Sequence, residues 1–476
     1  MKSNATRSWM IVGGLLFSFP WIVQETNMFA SNASAGDDPV KPRLLVLTDI
    51  GGDPDDQQSM IRLLVHSNEF EIEGLVASAS GTPGELKQRV TKPELIREQI
   101  EAYAKVLPNL RIHAHGFPSA ESLLGVVKSG NPNRGRDFIG DGHDTEGSRW
   151  IIACADKEDA HPLNIVIWGG QTDLAQALWR VRDDRGKASV KEFQSRIRVF
   201  DIDDQDKIHG WLFSEFPDAF YVLSKASPGA DKREGAYRGM YLGGDQSLTS
   251  LAWLDEHVRQ GHGPLGALYP AKTWTAPNPN SALKEGDTPS WFFFLPNQLG
   301  DPAHPEWGGW GGRYAHTQAG LFRDAKDTVG NVTDARAAVW RWRPAFQNDF
   351  AARMDWCVAD LYEKANHHPV AVLNTDRSDR SKQIAEWIAK PGDTVTLSSA
   401  GSSDPDGDAL QTRWFVYREA GTCREPVSLA AETGIRTKLT VPRIAEPATI
   451  HIVLEVQDDG IPPLTSYRRV VVTVQP

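Results

Sequence analysis

Cysteine is scarce in this chain of 476 residues: only Cys154, Cys357 and Cys423 occur, far apart and with no C-x-x-C pair. That excludes a disulfide scaffold and a cysteine-ligated zinc site. A basic excess is also lacking, because 51 Lys and Arg stand against 62 Asp and Glu for a net charge of -11. Binding duplex nucleic acid requires a basic surface that releases counterions, so a neutral or cationic partner fits better. The longest apolar run, Trp9 to Val23, is interrupted by Gly13, Gly14 and Pro20 and falls short of the roughly 20 residues of a spanning helix. GxxxxGK[ST], HExxH and GxSxG are all missing, which leaves Walker phosphate chemistry, zincin proteolysis and the α/β-hydrolase serine mechanism without support. With 40% apolar and 24% charged residues, the composition is that of a globular protein long enough for two or three domains.

Lys2 and Arg7 precede the apolar run and Ala33-Ser34-Ala35 follow it, the order of a secretory signal with its A-x-A cleavage site. A leader over residues 1–35 is expected. The mature chain would then start near Gly36, carry no membrane anchor, and be secreted or periplasmic.

From Arg43, short β-branched runs alternate with helical stretches, the pattern of an α/β domain around a parallel sheet. Strands are expected at Arg43–Thr48, Ile72–Ser78, Leu110–His115, Asn164–Trp168 and Ile197–Asp201, with helices at Gln58–Val65 and Lys92–Val106. Between about Gly229 and Tyr314, Gly, Pro, Asn and Trp dominate, which reads as long ordered loops over the sheet's carboxyl edge. Asp334 to Asn366 is again helical, and Asn366-His367-His368-Pro369 ends it. The first domain is therefore taken as residues 36–367. From His368 the chain becomes six or seven short alternating strands with one Trp on a central strand, an immunoglobulin-like antiparallel sandwich over 368–476.

The densest chemistry is Asp49-Ile50-Gly51-Gly52-Asp53-Pro54-Asp55-Asp56, directly after the first strand. Repulsion among four carboxylates in this stretch is costly without a cation, and an all-oxygen donor set favours Ca²⁺ or Mg²⁺ over zinc. One of these residues also suits the cap of the helix that follows.

This loop resembles the D-x-D-x-x-x-D-D signature of the nucleoside hydrolase family. The family's leading Asp corresponds here to Leu47, and Asp49 lies six residues before Asp55 rather than four. Ile165-Val166-Ile167-Trp168-Gly169-Gly170-Gln171-Thr172-Asp173-Leu174-Ala175 is similar to the same family's strand and G-G/P-L-T-N-h-A turn, and Lys284-Glu285-Gly286-Asp287 to its late Asp. The resemblance implies Ca²⁺ held by Asp49, Asp56, the Thr172 carbonyl and Asp287, with Asp49 as general base and Asp55 holding the sugar. The arrangement of leader, hydrolase-like domain and terminal sandwich looks closest to secreted bacterial proteins described as cellulose-binding.

A second Gly- and acid-rich loop contains His143 and Asp144; His143 could protonate a leaving group. Asp203 and Trp211 follow the strand that ends at Asp201 and fall on the same rim. Trp291, Trp307 and Trp310 sit in loops rich in Gly and Pro, where an indole face can meet a sugar. Asp53, Asp55, Asp144, Asp203, Trp211, Glu285 and Trp307 are the substrate-binding candidates. Asp404-Pro405-Asp406-Gly407-Asp408 lacks the sixth-position Gly and twelfth-position Glu of an EF-hand and reads as an Asp-tied turn. Together these features lead us to expect metal-assisted hydrolysis of a glycan or glycoside, with a non-catalytic carbohydrate-binding protein as the alternative.

Overall fold

The computed structural model describes residues 41–80, 89–276, 281–375 and 384–476. The expected leader, residues 1–35, lies outside the described residues. No described helix is long and apolar enough to cross a membrane.

The first lobe is built on an eight-stranded sheet. Its strands are β1 (Arg43–Thr48), β2 (Glu71–Ala77), β3 (Val127–Ser129), β4 (Leu163–Ile167), β5 (Ile197–Ile202), β6 (Phe220–Ser224), β7 (Tyr314–Gln318) and β8 (Leu321–Asp324), in the order β3-β2-β1-β4-β5-β6-β8-β7. All neighbours are parallel except β7, which runs against β8. β1 and β4 are buried along their whole length, as strands covered on both faces must be. The chain winds outward from β1 to β3, then returns to β4 on the other side of β1. The carboxyl ends of β1 and β4 therefore flank the topological switch point, where open α/β sheets bind ligands.

The main helices are α1 (Asp55–Val65), α2 (Pro93–His113), α3 (Glu146–Ala155), α4 (Thr172–Ser195), α5 (His209–Glu215), α6 (Thr288–Phe292) and α7 (Arg343–Trp356). Leu110–His115, expected as a strand, is instead mostly the last turn of α2. Leu110 and His113 continue the buried stripe of Ile96, Ile100, Tyr103, Val106 and Leu107 at helical spacing, while Ile112 and Pro108 lie on the solvent side of the helix. The third strand is the short β3, which gave no clear pattern. From Lys232 to Trp307 the described residues form only short helical turns and irregular segments.

Beyond Lys364 the regular structure among the described residues is strands only, apart from one short turn. After the hairpin β9 (Asp327–Val329) and β10 (Val332–Asp334) come β11 (Asn374–Thr375), β12 (Ala385–Ala389), β13 (Thr394–Ser398), β14 (Gln411–Val416), β15 (Arg436–Thr440), β16 (Ala448–Gln457) and β17 (Thr465–Val474). They make one sheet ordered β11-β13-β15 and another ordered β12-β17-β16-β14. Leu397, Trp414, Leu439, Ile452 and Val472 fill the core between them. Trp414 is fully buried but lies on an edge strand, β14, not a central one.

Lys41 to Pro476 pack as one compact unit. The lobes share buried polar contacts: the Tyr417 hydroxyl donates to Asp327 Oδ2 at 2.6 Å, and Arg469 Nη1 donates to the Trp307 carbonyl at 2.8 Å.

Candidate active site

β1 delivers Asp49 to the switch point, and α1 then starts at Asp55, with Asp55 and Asp56 in its first turn where the helix dipole favours carboxylates. Asp287, immediately before α6, joins them. Asp55, Asp56 and Asp287 each present an oxygen within 4.8 Å of the other two, and all three are buried. Asp287 Oδ2 is buried without a hydrogen-bond partner. Burial, reinforced by the neighbouring carboxylates, pushes the Asp56 and Asp287 carboxyls well above their ordinary range. Burial also raises Asp55, to about 6, with Lys284 opposing the shift. An orphaned buried oxygen and crowded, all-oxygen donors fit a hard divalent cation.

Two resident cations share the site. Arg134 Nη2 donates to Asp49 Oδ2 at 2.5 Å and to the Ala79 carbonyl at 2.8 Å, while Nη1 lies 3.5 Å from Asp206 Oδ1. Lys284 Nζ lies 2.8 Å from Asp53 and 2.6 Å from Asp55. Burial alone would lower the Lys284 ammonium, but these carboxylates hold it well above its usual range. Asp49, Asp53, Asp55, Asp56, Asp206 and Asp287 are six carboxylates against these two cations, so four negative charges are left when all are ionised. A divalent cation offsets two of them.

The paired glycines after β4 make room for this arrangement. A Cβ on Gly169 would stand 2.6 Å from Asp49 Cβ, and one on Gly170 would stand 2.0 Å from Asp206 Oδ1. Thr172 opens α4; its hydroxyl and backbone N–H donate to Asp206 Oδ2 at 2.5 and 2.9 Å, and its Oγ1 accepts from the Gly135 N–H. Thr172 thus orients Asp206, which pairs with Arg134, which fixes Asp49.

Not every candidate joins the cluster. Asp53 accepts from the Trp274 N–H at 2.6 Å and the Thr275 N–H at 3.2 Å, pinning that loop beside the site. Glu285 is fully buried, and its oxygens accept from Arg62 and Tyr269, so it braces the floor of the site in place of meeting a sugar. Asp144 is tied to Arg180 and Gln176 on α4, and His143 packs edge-on to Phe138 at 6.1 Å. No ion pair or hydrogen bond among the described residues links either to the acidic cluster. Asp203 follows β5 in a left-handed conformation with φ of 69°, and Trp211 lies under the Arg136 guanidinium at 4.3 Å. Trp307 is stacked on His304 and packed against His451 of the sandwich, and Trp291 and Trp310 are buried; all three indoles belong to the core. The exposed indole beside the site is Trp274, at 58% accessibility.

Sequence reasoning passed over Arg134, Asp206, Lys284 and Trp274. Lys284 carried a signal, since it stands three residues before Asp287. Arg134, in Asn133-Arg134-Gly135, carried none.

A further buried carboxylate gives a pH test. Burial raises Asp201 to about 8, and its Oδ2 accepts from Tyr221 at 2.7 Å and Gln171 at 2.9 Å. An acid with a raised folded-state pKa contributes stability that is complete below its unfolded value and is lost as pH rises through the folded one. Asp201→Asn, which mimics the protonated acid, should leave the unfolding temperature nearly unchanged at pH 3, below the unfolded value, and raise it progressively up to pH 8.5. An equal effect at both values would show that Asp201 is ionised throughout.

Two family models match the chain: the nucleoside hydrolase-like domain of cellulose-binding Sde182 over residues 43–314, and the C-terminal domain of cellulose-binding protein Sde0182 over residues 394–474. A solved structure, described as a nucleoside hydrolase-related hypothetical protein from Saccharophagus degradans associated with carbohydrate metabolism, is 34% identical. The match covers 92% of this chain and 100% of that one with a TM-score of 0.77. The PKD domain from KIAA 1837 protein is 21% identical over 21% of this chain and 85% of its own, with a TM-score of 0.16. The effector protein XOO4466 is 11% identical over 68% of this chain and 95% of its own, with a TM-score of 0.35. These two are too distant to inform the site. No curated protein matches the chain. With one model spanning more than half of its length and a relative matched end to end, the chain belongs to the cellulose-binding Sde182 family, which has a nucleoside hydrolase-like domain and a Sde0182-type C-terminal domain.

Proposed function

We propose that the protein is an exported, calcium-dependent hydrolase of a glycosidic bond in a glycan or glycoside. The observation that carries this reading is the convergence of Asp55, Asp56 and Asp287 at the switch point, with Asp287 Oδ2 left unpartnered. Asp55, Asp56 and Asp287 would hold the cation, and family resemblance adds Asp49 and the Thr172 carbonyl. A bound Ca²⁺ supplies Lewis-acid polarisation of a water and of vicinal sugar hydroxyls. Asp49, fixed through Oδ2 by Arg134, takes the proton of the attacking water. Asp53, Asp55 and Lys284 offer acceptors and a donor for sugar hydroxyls, and the surrounding carboxylates stabilise oxocarbenium character at the attacked carbon. The exposed Trp274 indole gives the sugar's C–H face a platform. Leaving-group protonation, expected of His143 from the sequence, calls for a group nearer the cluster, since His143 packs against Phe138 and bonds to none of its carboxylates.

A second reading has its own observation. Arg134 on Asp49 and Lys284 on Asp55 already occupy the base and the sugar-holding carboxylate with resident cations, which suits a non-catalytic carbohydrate-binding protein that kept a hydrolase fold. The family description, cellulose-binding, supports either reading.

The test is a release assay on nitrophenyl furanosides and pyranosides, nucleosides and insoluble polysaccharides, with Ca²⁺ and then with EDTA. The hydrolase reading expects EDTA-sensitive release, a loss in kcat of about 10²- to 10⁴-fold in Asp49→Asn with unchanged thermal unfolding, and a rise in KM of about threefold to tenfold in Trp274→Ala. Retention on cellulose with no release from any substrate would transfer the assignment to the binding protein.

A further inference from the structure

A second group of carboxylates lies where the two lobes join, remote in sequence from the site above. Asp404, Asp406 and Asp408, in the turn between β13 and β14, each present an oxygen within 4.8 Å of the other two. An acidic turn alone means little, because such residues also hold hairpins together. Here Asp404 Oδ1 does that work, accepting from the Asp406 and Asp408 N–H groups at 2.8 and 3.1 Å. The independent observation comes from the turn between β16 and β17. Asp458 is 2% exposed, and its Oδ1 accepts from Asn366 Nδ2 and from the Gly460 and Leu464 N–H groups, yet its Oδ2 is buried with no partner. Asp404 Oδ2 is likewise buried and unpartnered.

The two turns face each other. Asp459 Oδ1 accepts from the Ala409 N–H at 2.8 Å. Among the described residues, the ion-pair partner these carboxylates have is His367, whose Nδ1 lies 2.9 Å from Asp406 Oδ1. The Asp55–Asp56–Asp287 cluster, by contrast, has Arg134 and Lys284 beside it. Buried oxygens without partners, amid like charges, call for a cation.

We propose that Asp404, Asp408 and Asp458 form a second site for a hard divalent cation of the calcium class, placed to lock the junction between the lobes. The junction peptide is held by the same carboxylates: the His367 N–H donates to Asp406 Oδ2 at 2.8 Å, and Asn366 Nδ2 donates to Asp458 Oδ1 at 3.1 Å. Trp356 and Tyr362 stack on His367 from the first lobe, so an ion here ties the sandwich to α7 and the turn that follows it.

Calcium calorimetry on the full chain carrying Asp56→Asn and Asp287→Asn isolates this site from the one above. One remaining equivalent of Ca²⁺ is expected, together with slower protease cleavage near Pro369 when Ca²⁺ is present. Adding Asp408→Asn should weaken that binding by at least about tenfold and abolish the protection. The Asp408 side chain takes part in no hydrogen bond or ion pair among the described residues, so the fold does not depend on it. No calcium binding in the double variant, or binding that Asp408→Asn leaves unchanged, would overturn the proposal.

Discussion

Replacing Asp287 with asparagine is expected to lower calcium affinity by more than about a hundredfold, because loss of a direct ligand should exceed the 10- to 100-fold cost of losing a residue that merely supports one. The same substitution should stabilise the cation-free protein. Without a cation, Asp287 is a buried carboxyl crowded by Asp55 and Asp49, with one oxygen unpartnered. An amide removes that charge and keeps the shape. In the wild-type protein, calcium at about a hundred times its Kd should add about 2.7 kcal/mol to stability through mass action. In Asp287→Asn that gain should vanish at the same concentration, while the unfolding temperature in EDTA rises above the wild-type value. Calorimetry and thermal scans with and without EDTA check both halves. A variant that binds calcium as tightly as the wild type would remove Asp287 from the site.

The second large effect concerns the floor beneath the cluster. Arg62 and Glu285 are both fully buried. Arg62 Nε lies 2.5 Å from Glu285 Oε2 and Nη2 lies 3.1 Å from Oε1, while Nη2 also donates to Gln347 Oε1 and the guanidinium stacks on Phe350 at 3.8 Å. Removing one partner of such a pair leaves the other charge buried and alone, at a cost of about 3–5 kcal/mol. Arg62→Ala should lose that much in urea unfolding. The double change Arg62→Met with Glu285→Leu should cost far less, since replacing both partners by apolar side chains is often neutral. Glu285 stands two residues before Asp287 and has a left-handed φ of 36°. Arg62→Ala should therefore weaken calcium binding as well, through the position of Asp287. If the single and double variants lost equal stability, the pair would have no electrostatic role.

The residues show how far the sequence reached. β1 and β4 were legible because short apolar runs bounded by glycines and acids read as buried strands, and the end of β1 places Asp49, and with the start of α1 also Asp55 and Asp56, at a strand's carboxyl end. The sandwich was legible from alternation and turn spacing, apart from β12 (Ala385–Ala389) and the edge position of Trp414. Leu110–His115 misled because four residues of Leu, Arg, Ile and His alternate as a strand would, whereas the stripe that decides begins at Ile96, well outside that window. Glu285 and Trp307 misled for another reason. A charged or aromatic residue in a Gly- and Pro-rich loop reads as exposed, but Arg62 draws Glu285 inward and His451, from the other lobe, covers Trp307. Arg134 and Asp206 reach Asp49 from loops far apart in the chain, and a partnership of that range leaves no local pattern.

A cation between Asp55, Asp56 and Asp287 is what the proposed chemistry needs most. The direct measurement is an anomalous-difference map from crystals of the protein grown with calcium, recorded at a long wavelength. A peak within ligand distance, about 2.3–2.6 Å, of carboxylate oxygens from all three residues is the expected result. A flat map there, with Lys284 still bridging Asp53 and Asp55, would mean that the protein's own ammonium neutralises the site, and the calcium-dependent reading would fall.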